Sequence, residues 1–192
     1  LRLSEEQAML LDVAREFCRN KSPMASVRAQ LETDTGFDEA LWGEMVALGW
    51  TGIALPESCG GSGLGIAAVV TVAEAMGRAM LGTPLLSTTL AAQLLLRSRP
   101  GSEADAVLAD IAAGSRTTVA LLENADWGDT GLSCTLAADG VLTGTKKFVA
   151  DAEAAALFVV VVEHEGAPAL AIVRTEQLAE GAITANTLID QT

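Results

Sequence analysis

The stretch Leu55-Pro56-Glu57-Ser58-Cys59-Gly60-Gly61-Ser62-Gly63-Leu64-Gly65 decides how the rest of the chain is read. Glycines at 60, 61, 63 and 65 let the backbone take positive φ and pass close to other groups. The stretch follows an amphipathic segment ending at Leu48-Gly49 and precedes an Ala-rich segment starting near Ile66. It therefore reads as a loop between two helices.

Outward from this loop the apolar spacing is helical on both sides. Ser4 with Gln7 makes a capping box and Leu3 with Ala8 a hydrophobic staple, so a helix is expected to start at Glu5. Leu10, Ala14, Phe17 and Cys18 form its apolar stripe. A second helix is expected from about Asp38 to Leu48, with Leu41, Met45 and Leu48 on one face and Gly49 as its stop. Behind the loop come helices at about 66–81, at 84–97 ended by Arg99-Pro100-Gly101, and at 102–113 capped by Ser102 and closed by Gly114.

After Ser115 the period changes from helical to alternating. Thr117 to Leu122 is a short β-branched and aliphatic run. Leu132 to Ala137, Asp139-Gly140 and Val141-Leu142-Thr143 read as a hairpin with an Asp-Gly turn. Lys147-Phe148-Val149, Leu157 to Val162, Ala169 to Arg174 and Ile183 to Leu188 are further expected strands. Helices first and strands second imply segregated α and β parts. The expected fold is α+β: an all-helical domain over 1–115, then a small, mostly antiparallel β domain over 116–192. So small a β part leaves an open edge, which proteins normally cover. The chain is expected to be cut short or completed by another.

Composition narrows the function. Half of the 192 residues are hydrophobic and the net charge is −13. Such acidity argues against nucleic acid, which needs clustered Lys and Arg, and against anionic membranes. Residues 64–81 are apolar, but Glu74 and Arg78 interrupt them, favouring a buried helix over a membrane span. Cys18, Cys59 and Cys134 are odd in number and widely spaced, so they read as free thiols and no metal site is expected. No signal-peptide core opens the sequence, and a cytoplasmic protein is the expectation.

Several motifs carry little chemistry on their own. Gly63-Leu64-Gly65-Ile66-Ala67-Ala68 fits a dinucleotide fingerprint, but only Gly52 to Leu55 could be the strand before it, and no Asp or Glu lies between Glu74 and Glu103 to hold a ribose. His164, the single histidine, sits in a charged segment and reads as a solvated turn residue. Ser133-Cys134-Thr135 lacks a nucleophile elbow and reads as sheet surface. The polar loop from Glu123 to Gly131 follows a strand, a common place for ligand contacts.

Taken together, three of these segments resemble landmarks of the acyl-CoA dehydrogenases. The Pro56-Glu57, Gly60-Gly61, Gly63-Leu64-Gly65 loop is similar to that family's P-E-x-x-G-G-x-G-L-G stretch. Gly114 and Ala120-Leu121-Leu122-Glu123 resemble the strand that runs into its T-E-P-x-x-G-S-D loop. Asp139-Gly140 through Gly144, Lys146, Phe148 and Val149 resemble the segment that there ends in Lys, an aromatic residue, Ile or Val, and Thr.

The resemblance implies a helical domain, a middle β domain and a C-terminal helical domain. It also implies FAD between the last two, and α,β-dehydrogenation of an acyl-CoA thioester with electrons leaving through an electron-transfer flavoprotein. The family's catalytic carboxylate lies in the C-terminal domain, so no catalytic residue is assigned here. By resemblance, Leu121, Leu122, Phe148, Val149 and Ala150 would line the flavin, and Gly128 and Asp129 would lie near the thioester. Family members assemble as oligomers, so a homo- or hetero-oligomer with similar chains is expected.

The departures fall on the flavin contacts. Leu122-Glu123-Asn124 replaces T-E-P, Trp127-Gly128-Asp129 replaces G-S-D, and Ala150 replaces the last threonine. Two hydroxyl donors are thereby lost, each worth roughly 1 kcal/mol or more in a buried site. A non-catalytic, degenerate subunit of a hetero-oligomer is the rival reading, and an acyl-CoA oxidase is not separated from either.

Overall fold

The computed structural model describes residues 3–98, 101–126, 128–129 and 131–186. Six α-helices precede a five-stranded mixed sheet. This is the expected α+β order.

Helix α1 (Glu5–Lys21) starts at the expected capping box: the Ser4 side chain accepts from the Gln7 amide, and the Gln7 side chain accepts from the Ser4 amide. Its stripe of Leu11, Ala14 and Cys18 packs against α4 (Ile66–Ala79). The short α2 (Met24–Gln30) is additional to the expected helices; it buries none of its residues, so it leaves no apolar period to read. Helix α3 (Glu39–Ala47) is capped by the Asp38 carboxylate on the amides of Ala40 and Leu41. Leu41 and Met45 are buried as expected, but Leu48 is 46 % exposed because the helix ends before it. Gly49 follows at φ 75°, the left-handed stop its position suggests.

Helices α5 (Leu85–Arg97) and α6 (Ser102–Ala112) lie against the sheet. Gly101, not Ser102, occupies the N-cap of α6. The expected stop at Arg99-Pro100 lies outside the described residues.

The sheet is built on β4 (Leu157–His164). On one side it pairs antiparallel with β5 (Ala167–Arg174) along its whole length, from Leu157 opposite Arg174 to His164 opposite Ala167. On its other side it pairs parallel with β1 (Thr117–Ala120) and, at Glu163, with β2 (Thr135–Leu136). Strand β2 forms the expected antiparallel hairpin with β3 (Leu142–Thr143), turning at Asp139-Gly140 with Gly140 at φ 86°. The sheet is thus mixed. The residues between β1 and β4 are numerous enough for a crossover, which a parallel pairing requires.

Alternation along β4 divides the core. Leu157 and Val159 pack on α5 and α6, while Phe158, Val160 and Val162 join Ala120, Cys134 and Ala171 on the other face. Burial on both faces explains the unbroken valine run.

Lys147-Phe148-Val149 is not a strand. Phe148 sits at φ 54° and Asp151 at φ 52°, left-handed values that no ladder accommodates. Residues 183–186 are likewise not strand, and the remainder of the expected Ile183 to Leu188 strand falls outside the described residues.

Polar ties join the helices to the sheet. Thr88 Oγ1 accepts from the Thr117 amide at 3.1 Å, and Trp42 Nε1 donates to the Gly114 carbonyl at 2.9 Å. The Arg116 guanidinium donates to Glu39 and to the Ala154 carbonyl, and lies over the Phe37 ring.

Candidate functional site

The glycine loop is scaffold. The amides of Gly61, Ser62, Gly63 and Leu64 donate to the carbonyls of Pro56, Gly52, Leu55 and Ile53. Four donors that a phosphate would need are already spent. Residues 52–55 form a tight turn and no strand. The dinucleotide reading therefore fails on geometry.

A different cluster lies where β1 ends. The segment 121–123 runs beside 146–148, joined by the Lys147 amide donating to the Leu122 carbonyl at 2.7 Å. Beneath them sits an ion pair: Lys146 Nζ meets Glu123 Oε1 at 2.5 Å, with side chains 7 % and 9 % exposed. Lys146 also donates to the Leu121 carbonyl. The other Glu123 oxygen accepts from the amide and hydroxyl of Ser133, and the Cys134 amide donates to Oε1 at 3.0 Å. One carboxylate thus fastens both ends of the loop 123–134 to the 146–148 segment.

Gly144 completes the latch. A Cβ there would lie 2.7 Å from Cys134 Cα and 2.8 Å from its sulfur, so only glycine lets the segment press on β2. Its φ of 144° adds a second reason.

Desolvation pushes the Glu123 carboxyl upward, but the hydrogen bonds from Lys146, from the Ser133 hydroxyl and from the Cys134 and Ser133 amides outweigh it and hold the group at about 2 instead of 4.5. Burial pushes the Cys134 thiol upward. The folded-state value of Glu123 lies below its unfolded one, so its contribution is fully present above about pH 5 and is lost as the pH falls towards 2. That contribution is about 3 kcal/mol. Chemical denaturation across this range should show a midpoint that falls with pH in the wild type and a much flatter profile in Glu123→Gln.

Over the latch, the structure brings together five of the sequence-derived residues. Leu121 and Phe148 are 51 % and 43 % exposed, Leu122 and Val149 are half-buried, and Ala150 is exposed. Their two segments meet at the C-terminal end of β1 through the Lys147–Leu122 bond; Leu121, Phe148 and Ala150 are the exposed apolar residues of this shelf, while Val149 packs on the core cluster of Ala120, Phe158 and Val160. Gly128 and Asp129 lie apart on the exposed loop. Asp129 is tied back, accepting from the Gly131 amide at 2.8 Å and from Asn124 Nδ2 at 2.6 Å, and these bonds lower its pKa. Trp127 lies outside the described residues.

Sequence reasoning misses Glu123, Ser133 and Lys146 as a unit, although Glu123 and Lys146 stand inside two of the family-like motifs. His164 is also not the solvated turn residue expected: it closes β4, half-buried, with Nδ1 2.8 Å from the Leu136 carbonyl oxygen. Cys134 is buried rather than on a sheet surface.

The shelf suits the apolar face of an isoalloxazine ring. The ring's polar edge would find no hydroxyl from residues 122 or 150. Among the described residues, no helix is long and apolar enough to cross a membrane.

Known proteins share this architecture. Residues 4–115 match the family model for the acyl-CoA dehydrogenase N-terminal domain. Over 153 residues, 76 % of this chain and 46 % of the relative, the sequence is 34 % identical to acyl-CoA dehydrogenase IpdE2 of Mycobacterium tuberculosis. A variant of the Tcur3481-Tcur3483 steroid ACAD superposes with a TM-score of 0.79 at 33 % identity, over 90 % of this chain and 48 % of that one. The ChsE4-ChsE5 complex of Mycobacterium tuberculosis does so with a TM-score of 0.79 at 27 % identity, over the same shares of the two chains. The chain therefore spans about half the length of the relatives it matches. With residues 4–115 matching its family model and 34 % identity to a named member over 76 % of its length, the chain belongs to the acyl-CoA dehydrogenase family.

Proposed function

We propose that this chain supplies the N-terminal and middle parts of an FAD-dependent enzyme that introduces a double bond between the α and β carbons of an acyl-CoA thioester. The observation that carries this reading is the shelf made by the segments 121–122 and 148–150, with Leu121, Phe148 and Ala150 exposed, beside the Glu123–Lys146 ion pair. Bound FAD would supply the two-electron acceptor. The chain's own residues would hold the ring and exclude water from one face, while Gly128 and Asp129 border the place where the thioester lies. The proton-abstracting base and the electron-transfer flavoprotein contacts are assigned to no residue here.

The lost hydroxyls at Leu122 and Ala150 favour a second reading, in which the chain is a non-catalytic subunit beside a related active one. The ChsE4-ChsE5 neighbour is itself a complex, which supports assembly with a similar chain. The steroid ACAD neighbour makes a bulky polycyclic acyl group the first substrate class to try.

Purification of the chain from its own host, with whatever accompanies it, separates the readings. Flavin absorbance together with reduction of an artificial acceptor by steroid-derived acyl-CoA esters supports the enzyme. If the flavin stays with a co-purifying chain and this chain alone is colourless, the structural-subunit reading holds. If no flavin is found in any fraction, both are wrong.

A further inference from the structure

We propose that Ser87, acting through Asp151, is a positioning residue that fixes the Phe148–Ala150 edge of the shelf; this rests on the flavin reading above. The edge is held in a costly shape. Within four residues, Phe148 and Asp151 both take left-handed φ, at 54° and 52°. Such values are strained in residues that carry a Cβ, and they persist only where the surroundings impose them.

Three contacts help to impose them here. The Lys147 amide is fixed on the Leu122 carbonyl. Thr118 Oγ1 donates to the Ala150 carbonyl at 2.7 Å. The third contact comes from outside the β part: Ser87 Oγ, on α5, stands 2.5 Å from Asp151 Oδ2.

Ser87 is only 6 % exposed, so its hydroxyl must find a partner in the protein. It also lies 3.0 Å from the Pro84 carbonyl, but it has a single proton to give. The closer, charged carboxylate is the stronger acceptor. Residue 151 immediately follows Ala150, so a helix of the first part grips the shelf one residue from its rim. Neither Ser87 nor Asp151 belongs to the shelf itself. Their effect on a bound ring would pass through the backbone of residues 148–150.

Two variants cut this tie without unsettling the fold. Ser87→Ala removes the hydroxyl and keeps a good helix former. Asp151→Gly removes the carboxylate and takes φ 52° without strain. A third, Asp151→Asn, keeps an acceptor oxygen and tolerates the left-handed backbone. FAD titration, followed by flavin fluorescence and by the fine structure of the bound flavin's absorption band, is done on the protein as purified with its accompanying chains; thermal denaturation is run in parallel.

The expected result is an FAD dissociation constant raised about tenfold, with a blurred band, in Ser87→Ala and Asp151→Gly. Asp151→Asn should stay within about twofold of wild type, and all three should melt within a few degrees of it. Flavin binding unchanged in the first two overturns the positioning role alone. Loss of binding that merely follows a large fall in melting temperature also overturns it, in favour of a structural role. A wild-type protein that binds no FAD overturns the flavin reading, and the positioning role with it.

Discussion

Replacing Lys146 with methionine is expected to destabilise the chain by about 3–5 kcal/mol, the cost of leaving a buried charge without its partner. Methionine matches the lysine stem in length, so packing changes little. What remains is the Glu123 carboxylate, 9 % exposed, facing an apolar side chain. The pair Lys146→Met with Glu123→Gln should recover part of the loss. The single glutamine oxygen can still accept from the amide of Ser133 without carrying charge, while its NH2 takes the place of the oxygen that met the Cys134 amide. Urea denaturation of the two variants and of Glu123→Gln completes a double-mutant cycle. If Lys146→Met costs under 1 kcal/mol, the ion pair is not the latch described above. Since the shelf rides on the latch, the single variant should also lose flavin, and the double variant should regain some.

The second large effect is expected at Gly61. A Cβ built there would stand 2.2 Å from the Leu55 carbonyl oxygen, 2.5 Å from Leu55 Cβ and 2.6 Å from the Gly52 carbonyl oxygen. Two of the three are backbone atoms and the third is the root of a buried side chain, so none can swing aside. Gly61→Ala must therefore push the loop off the turn at 52–55 and break the bonds that join them, at a cost of about 3 kcal/mol or more. Gly63→Ala is the control. Nothing lies within 4 Å of its Cβ, and only the φ of 67° opposes it, so about 1 kcal/mol is expected. Melting temperatures of the two variants test the contrast; equal losses would refute it.

Residue patterns that act locally are legible in the sequence alone. The Ser4–Gln7 capping box, the Gly49 stop and the Asp139-Gly140 turn each depend on a few neighbouring residues, and each forms. The continuous valines of β4 are also readable, because a strand buried on both faces leaves that signature. Features set by distant partners are not. The parallel pairing of β1 with β4 depends on the path between them, which no period encodes. Phe148 and Val149 have the composition of a strand, yet Thr118, Asp151 and Ser87 bend them out of it.

The site divides in the same way. Motifs point to the shelf residues and to the glycine loop alike, although that loop serves packing and not a ligand. Glu123 and Lys146 lie within those motifs, but their pairing across 23 positions shows only when the fold brings them together. Ser87 gives no signal at all: a serine inside an apolar helix looks like any other until its partner is seen.

The central place of β4 also sets the order in which this half of the chain can form. As the chain leaves the ribosome, β1 and β2 emerge well before the strand that both must pair with. Until Leu157–His164 is made, the first two strands have open edges, and only the β2–β3 hairpin can close by itself. Helices α1 to α4 face no such wait, since their contacts are mostly with one another. The sheet's pairings with β4 are therefore long-range, and closure of the long loop between β1 and β4 is expected to slow its folding. In that interval the nascent chain carries unpaired, apolar strand, which makes this the stage at which chaperones, or a related chain synthesised nearby, have most to offer.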